Sequence, residues 1–428
     1  MNRALFDFIE KCPSSYHAVS YTKEVLTKAG FTELCENEKW QLNHGGSYFV
    51  SRNGSSIIAF KVPLGQFSGY MMAAAHSDSP CFKIKDNPDL CDNVYVRLST
   101  EKYGGSIFST WMDRPLSVAG RVTVKEGERI VSKLVDLKET QAVIPNVAIH
   151  MNRNVNEEAK YNPAVDMIPL YSDAGEKSLI MDKIAEALFV DKEDILASDL
   201  FIYNSASGVA WNDFISAPRL DDLQCAFSGL TALAAAEANF SVPVYCLFDN
   251  EEVGSNTRQG AASGFLEDVL ERISASMGLD SIEHKNKMAQ SFLISCDNAH
   301  AVHPNHPEYA DKNHSVYMNK GIVIKTNASQ RYSSDAVSVG IFKALCKETG
   351  VPYQVYANRA DMAGGSTLGN IVSTRFSLNT VDIGLAQLAM HSAYETAGCK
   401  DTRYMVDVLT AFFEKSLSMI SDGEYILE

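Results

Sequence analysis

The run Val244-Tyr-Cys-Leu-Phe-Asp-Asn250 passes directly into two adjacent carboxylates, Glu251 and Glu252, followed by Val253-Gly254-Ser255. An apolar segment that stops this abruptly at acidic groups reads as a buried strand delivering charge to the lip of a sheet. A second run has the same character: Gly69-Tyr-Met-Met-Ala-Ala-Ala75 is almost wholly apolar and ends at His76-Ser77-Asp78-Ser79-Pro80. Such strands sit at the centre of a sheet, covered on both faces.

Around them, helical spacing occupies 1–30 with a break at Pro13, and returns at 223–237, 265–277, 337–345 and 406–419. Further strands are expected at 55–62, 291–296 and 353–356. From 93 to 137 the texture changes to short segments of partial period-two alternation, such as Val94–Leu98, Ser117–Val124 and Ile130–Val135. A polar stretch at 152–166, a short helix at 181–188 and another strand pair before Trp211 follow. Strands alternating with helices on both sides of a β-rich insert imply an α/β domain interrupted by a smaller β unit. At 428 residues the chain is long enough for both.

Composition removes several function classes. The net charge of −15 disfavours nucleic acid as a partner. No stretch approaches the ~20 apolar residues of a membrane span. The first ten residues form an amphipathic pattern that carries acids, unlike a secretory signal. Nine cysteines, an odd number without a CxxC pair, point to reduced thiols and a cytoplasmic setting.

Chemistry-bearing residues cluster at the ends of the expected strands. In His76-Ser-Asp78 the imidazole can bind a metal through one nitrogen while the aspartate orients the ring through the other. Asp221, in Pro218-Arg-Leu-Asp221-Asp222-Leu, precedes an Ala-rich helix. Asp222 can serve there as an N-cap and Asp221 as a bridge between two cations, and spacing does not choose. Asp297 ends the 291–296 strand, and His391 lies near the end of the chain without a packing period. His300, His303 and His306 recur at intervals of three, but Pro304 and Pro307 prevent a regular helix, which favours a loop shaped by hydrogen bonds. Mixed nitrogen and oxygen donors without cysteine suit zinc, with manganese or cobalt as alternatives. One bridging aspartate, a histidine and a carboxylate for each ion, and one spare glutamate meet the needs of a two-metal hydrolase, in which a water between the ions becomes hydroxide.

The chain resembles the aspartyl aminopeptidase family of dinuclear metallo-aminopeptidases nearly end to end. The likeness is carried by AAHSDSP at 74–80, FSTWMDRPLSVAGRV at 108–122, IPNVAIHMNRNVNE at 144–157 and SAPRLDDL at 216–223. It continues in DNEEVGS at 249–255, DNAHAVHPN at 297–305, SQRY at 329–332, GGSTLGNI at 364–371 and QLAMHS at 387–392. The resemblance implies a central mixed sheet flanked by helices in a catalytic domain of residues 1–86 and 216–428, with a β-rich dimerisation domain at 87–215. It implies two divalent ions per subunit: His76 and Glu252 on one, Asp297 and His391 on the other, Asp221 bridging. Glu251 would be the general base, and Asp78 would orient His76. His150 would reach a neighbouring subunit's active site, and Lys325 would meet an acidic side chain at the substrate's amino end. The substrates would be short peptides, and the assembly a tetrahedral particle of twelve chains built from dimers. Phe108, Trp111 and Met112 read either as exposed apolar residues of the insert that serve this association or as ordinary core.

Ala363-Gly364 departs from the Pro-Cys pattern common among such relatives, which leaves an aminopeptidase for neutral residues as an alternative to an acidic preference. A deacylase of N-acylated amino acids and a non-enzymatic scaffold are the remaining readings. The separation of 143 positions from Asp78 to Asp221 weighs against the former, and the full donor set against the latter.

Overall fold

The computed structural model describes residues 1–174 and 179–428. In the Tyr70–His76 strand all seven residues are buried. Met71, Ala73 and Ala75 enter one core, while Tyr70, Met72 and Ala74 enter another. The Val242–Phe248 strand divides likewise, with Tyr245 and Leu247 on the first side and Val244, Cys246 and Phe248 on the second. A strand with a core on each face has no polar side to present, which is why neither segment alternates in sequence. Burying a side chain such as Leu247 is worth roughly 2–3 kcal/mol, so these strands can carry costly charge at their ends.

The two strands are parallel neighbours in a mixed nine-stranded sheet. Its order is Thr32–Leu34, Ser47–Arg52, Ser56–Lys61, Val242–Phe248, Tyr70–His76, Phe292–Cys296, Asn379–Gly384, Ile322–Thr326, Tyr353–Ala357. Register matters more than order. Phe248 lies opposite His76, and Ser295 opposite Ala74. Two residues further on, Asp297 therefore comes level with His76, and the acids after Phe248 leave the sheet at the same edge. This is where open α/β sheets place their sites. Helices Asn2–Lys11, Ser15–Lys28, Leu220–Ala235, Ala336–Thr349 and Asp401–Phe413 cover the first core. Phe265–Ser276 and Leu368–Phe376 cover the second.

A separate antiparallel sheet of six strands is built from Arg129–Asp136, Leu116–Glu126, Ile195–Asn204, Cys81–Cys91, Tyr95–Tyr103 and Leu170–Asp173, in that order. The helix Ile180–Leu188 packs into its core. Trp111 and Met112 are buried in that core and Phe108 packs against it, so of the two readings of these residues the structure shows core and not an exposed patch. Exposed apolar side chains of this region include instead Ile130, Val147, Ile149, Met151 and Phe189. A smaller five-stranded sheet, including Phe214–Ala217 and Glu395–Gly398, lies beside the helix that carries Asp221.

The last helix also differs from the reading of 406–419. It runs Asp401–Phe413, and the chain then closes on a hairpin of Leu417–Ser421 and Glu424–Leu427. Its first turn was hidden by polarity: Asp401 and Thr402 are buried, and Asp401 accepts the N–H groups of Asn319 and Gly321.

His17, in the second helix, is hydrogen-bonded through Nδ1 to Ser14 Oγ at 2.8 Å. Burial, with the positive charge of Arg219 and against the pull of Asp136, lowers its pKa to about 4 from 6.5. A depressed pKa means stability that is present above 6.5 and lost as pH falls through 4. Denaturant unfolding at stepped pH is expected to show a steeper loss over that window in the native chain than in His17→Gln.

Candidate two-cation centre

Asp221 and Asp222 depart from helical backbone angles at the start of the Leu220–Ala235 helix, so their side chains turn toward the sheet edge. Asp221 then lies between two imidazoles. Its Oδ1 is 3.5 Å from His76 Nε2 and its Oδ2 3.4 Å from His391 Nε2, and the latter nitrogen is also 3.4 Å from Glu252 Oε1. Donor atoms of His76, Asp221, Asp222 and Asp297 lie within 4.8 Å of one another, as do those of Asp221, Glu252 and His391, and those of His76, Glu251 and Glu252. Among the described residues no such group joins Asp297 to His391. His76 thus shares donor groups with both Asp297 and Glu252, and His391 shares one with Glu252. Asp222 does not cap its helix. Its Oδ2 accepts the His76 N–H at 3.3 Å.

Two buried oxygens here, Asp221 Oδ1 and Asp222 Oδ1, have no hydrogen-bond partner. Burial opposes the charge of Asp221, yet the His391 and His76 imidazoles hold its pKa below the usual carboxylate range. The others move the opposite way. Burial, and then the neighbouring acids, raise Glu252 and Asp222 well above normal and lift Glu251 to about 8, although His76 opposes each rise. Carboxylates packed this densely hold protons unless cations neutralise them, and a divalent ion reverses the direction of each shift. Orphaned oxygens and an all-nitrogen-and-oxygen donor set fit zinc-like cations.

The donors are themselves held. His76 Nδ1 donates to the backbone oxygen of Asp78 at 3.0 Å, with Oδ1 farther off at 3.4 Å. The Asp78 carboxylate instead accepts the N–H groups of Glu251 and Glu252, both at 3.1 Å, and the Tyr103 hydroxyl at 2.7 Å. It therefore fixes the turn that bears both glutamates, whereas the carbonyl of the same residue fixes the histidine tautomer. Tyr103 opens a loop that also grips His391. The ring Nδ1 donates to Gly105 O at 3.2 Å, and Ile107 N–H donates to His391 O at 3.0 Å. That leaves His391 Nε2 free to face Asp221. Close approach and backbone angle favour glycine at 104, where φ is +72° and a Cβ would stand 3.2 Å from Glu252 Cβ, while a Cβ on Gly105 would make ordinary contact with His391 Nδ1 at 3.4 Å.

Comparison with known proteins decides the family. Residues 8–413 match the profile described as "Aminopeptidase I zinc metalloprotease (M18)". The chain is 45% identical over 423 residues to a probable M18 family aminopeptidase 2 of Clostridium acetobutylicum, covering 96% of this chain and 98% of that one. The chain belongs to the M18 family of aminopeptidases. It is a metal-dependent hydrolase acting on peptide bonds. Its fold is similar to that in the cryo-EM structure of the Ape4 and Nbr1 complex, with TM-score 0.93 and 33% identity, covering 96% of this chain and 85% of that one. It is also similar to the S. cerevisiae mApe1 dodecamer, with TM-score 0.84 and 28% identity, covering 96% of each.

Other sequence candidates fall at varied distances from this M18 centre. Lys325 is buried at the far side of Asp297, with Nζ 3.5 Å from Asp297 Oδ2, 3.1 Å from Asn298 O and 5.4 Å from the centre of the Tyr332 ring. Burial weakens its charge, but Asp297 and then Tyr332 and Asp382 more than compensate, so its pKa is raised. His150 is exposed in a turn and is not among the donors around Asp221. His303 and His306 lie ring against tilted ring in an exposed loop, where His303 Nδ1 accepts the Asn305 N–H, and neither joins a donor group. His300 meets the edge of the Tyr356 ring. Tyr103, Gly104 and Gly105 were missed by sequence reasoning because they act through a hydroxyl and through absent side chains. The Gly-Gly pair after an aromatic residue was their only trace.

Gly104→Ala is expected to displace Glu252 and lower zinc affinity on the order of 10–100-fold, as for other residues that position metal ligands. Zinc competition with a chromophoric chelator measures this, and circular dichroism should report an unchanged fold.

Proposed function

We propose that this aminopeptidase removes the amino-terminal residue from short peptides, with preference for aspartate and glutamate, at a centre of two divalent cations. The observation that carries the two-cation reading is Asp221, whose oxygens face different imidazoles at 3.5 and 3.4 Å, each within its own donor set. His76, Asp221 and Asp297 would hold one cation, and Asp221, Glu252 and His391 the other. Zinc is the metal of the family, and cobalt or manganese suits the same donors. Bound there, the cations supply Lewis acidity toward the scissile carbonyl and lower the pKa of water.

Glu251 is the general base. It lies within reach of His76 but outside both sets that share Asp221. Its carboxylate takes a proton from water and returns it to the leaving amine nitrogen. Asp78 holds that base through its backbone N–H. Glu251→Gln is expected to lower kcat by about 10²–10⁴-fold with both zinc ions retained, and Asp221→Asn to lose both ions. Metal analysis beside steady-state kinetics separates the two. A free-amine peptide should be cleaved and its N-acetylated twin left intact, which the deacylase reading would reverse.

Acidic preference rests on Lys325, whose ammonium has three protons and uses two toward Asn298 and Asp297. The third is available for a substrate carboxylate. A neutral preference is favoured by the same residue's burial, since its charge is already answered by Asp297. Rates on Asp-, Glu-, Leu- and Lys-amides with wild type and Lys325→Ala discriminate between the two. The acidic reading expects the Asp/Leu ratio to fall tenfold or more, and an unchanged ratio removes the assignment.

We further propose that residues 87–215 join chains into dimers and then a tetrahedral particle of twelve, with His150 reaching a neighbour's centre. In support, the related yeast structure is a dodecamer, and exposed Val147, Ile149 and Met151 flank His150. The nine unpaired cysteines favour a cytoplasmic setting. No helix among the described residues is long and apolar enough to cross a membrane. Inactive His150→Ala and Glu251→Gln proteins, unfolded and refolded together, are expected to regain part of the wild-type rate, because a mixed particle contains sites with both groups intact. No recovery in a mixed dodecamer would place His150 outside the reaction.

A further inference from the structure

Glu395 is a buried carboxylate, 2% exposed, that the chemistry above does not use. It begins the Glu395–Gly398 strand, paired with Phe214–Ala217 so that Glu395 lies opposite Ala217. That register puts its side chain beside the turn leading to Asp221 and four residues beyond His391. Its two oxygens are divided between them. Oε2 accepts the Asp221 N–H at 3.0 Å, and Oε1 accepts the His391 N–H at 2.7 Å.

We propose that Glu395 is a positioning residue that sets the separation of Asp221 and His391, and so the geometry of the cation that these two share with Glu252. Three observations carry it. Both carboxylate oxygens are committed to backbone N–H groups, and Glu395 belongs to none of the donor groups, so it is not itself a ligand. His391 has φ +67°, in the left-handed region that a histidine seldom adopts, and is kept there by bonds on both sides of its peptide: its N–H to Glu395 and its carbonyl from Ile107. Asp221 and His391 are 170 residues apart in sequence, Asp221 on the helix that follows one strand of the five-stranded sheet and His391 in the turn between two others, so one rigid clip between their backbones replaces two independent loops. Such a clip is the counterpart of Asp78, which grips the N–H groups of Glu251 and Glu252.

The inference rests on the two-cation reading. Its test uses the full-length protein stripped of metal and reloaded with zinc or cobalt. Glu395→Gln keeps the volume but turns an NH₂ toward one of the two N–H donors. Glu395→Asp keeps the carboxyl group but reaches only one of them. Thr396→Val is the control: its neighbour in the same strand loses the Ser216 hydroxyl contact at 2.8 Å without touching the centre. Both Glu395 variants are expected to bind the second zinc 10–100-fold more weakly and to change the visible absorption of the cobalt form, while Thr396→Val changes neither. Two zinc ions bound with wild-type affinity and an unaltered cobalt spectrum in the Glu395 variants, with only metal-free unfolding affected, would overturn the proposal. If Glu395→Gln does not fold, Glu395→Asp alone decides by the same readouts. Wild type binding fewer than two ions would instead remove the reading beneath it.

Discussion

Asp221 poses the problem that the rest of the molecule solves. A carboxylate withdrawn from water is costly unless its charge is answered, and here it sits among Asp222, Glu251, Glu252 and Asp297, with the imidazoles of His76 and His391 and the ammonium of Lys325 nearby. The surroundings therefore push most of these acids toward protonation. Such a cluster makes physical sense when cations complete it. The apolar strands behind it provide the rigidity and the hydrophobic stabilisation that let so much charge gather at one edge.

Rigidity also comes from donors that are mostly backbone. Asp78 holds the glutamate turn, Glu395 the backbones of Asp221 and His391, and the Tyr103–Ile107 loop both Asp78 and His391. The loop leads out of the last-but-one strand of the six-stranded sheet. The smaller sheet is thus joined to the centre by direct hydrogen bonds, and a shift of one is felt by the other.

What was legible in the sequence follows from these roles. Segments buried on both faces, such as 70–76 and 242–248, announce themselves as apolar runs, and the acids and imidazole that end them mark the sheet edge. The Asn379–Gly384 strand was not read, although it is central, because Asn379, Thr380 and Asp382 interrupt its apolar pattern. Asp382 is buried there by bonds from Ser333 and Thr367. The Ser281–Ala289 helix was hidden for the opposite reason: none of its residues is buried, and it is set by the Asp280–Glu283 capping box rather than an apolar face. Donor identity was readable from residue type at strand ends. The grouping of donors was not, because it depends on how the Leu220–Ala235 helix and the His391 turn meet across the sheet edge.

The most direct test is crystallography of zinc-loaded protein at wavelengths either side of the zinc absorption edge. Two anomalous peaks flanking Asp221 are expected, one beside Oδ1 within reach of His76 and Asp297, the other beside Oδ2 within reach of His391 and Glu252. A single peak, or peaks that leave either Asp221 oxygen unligated, would contradict the account.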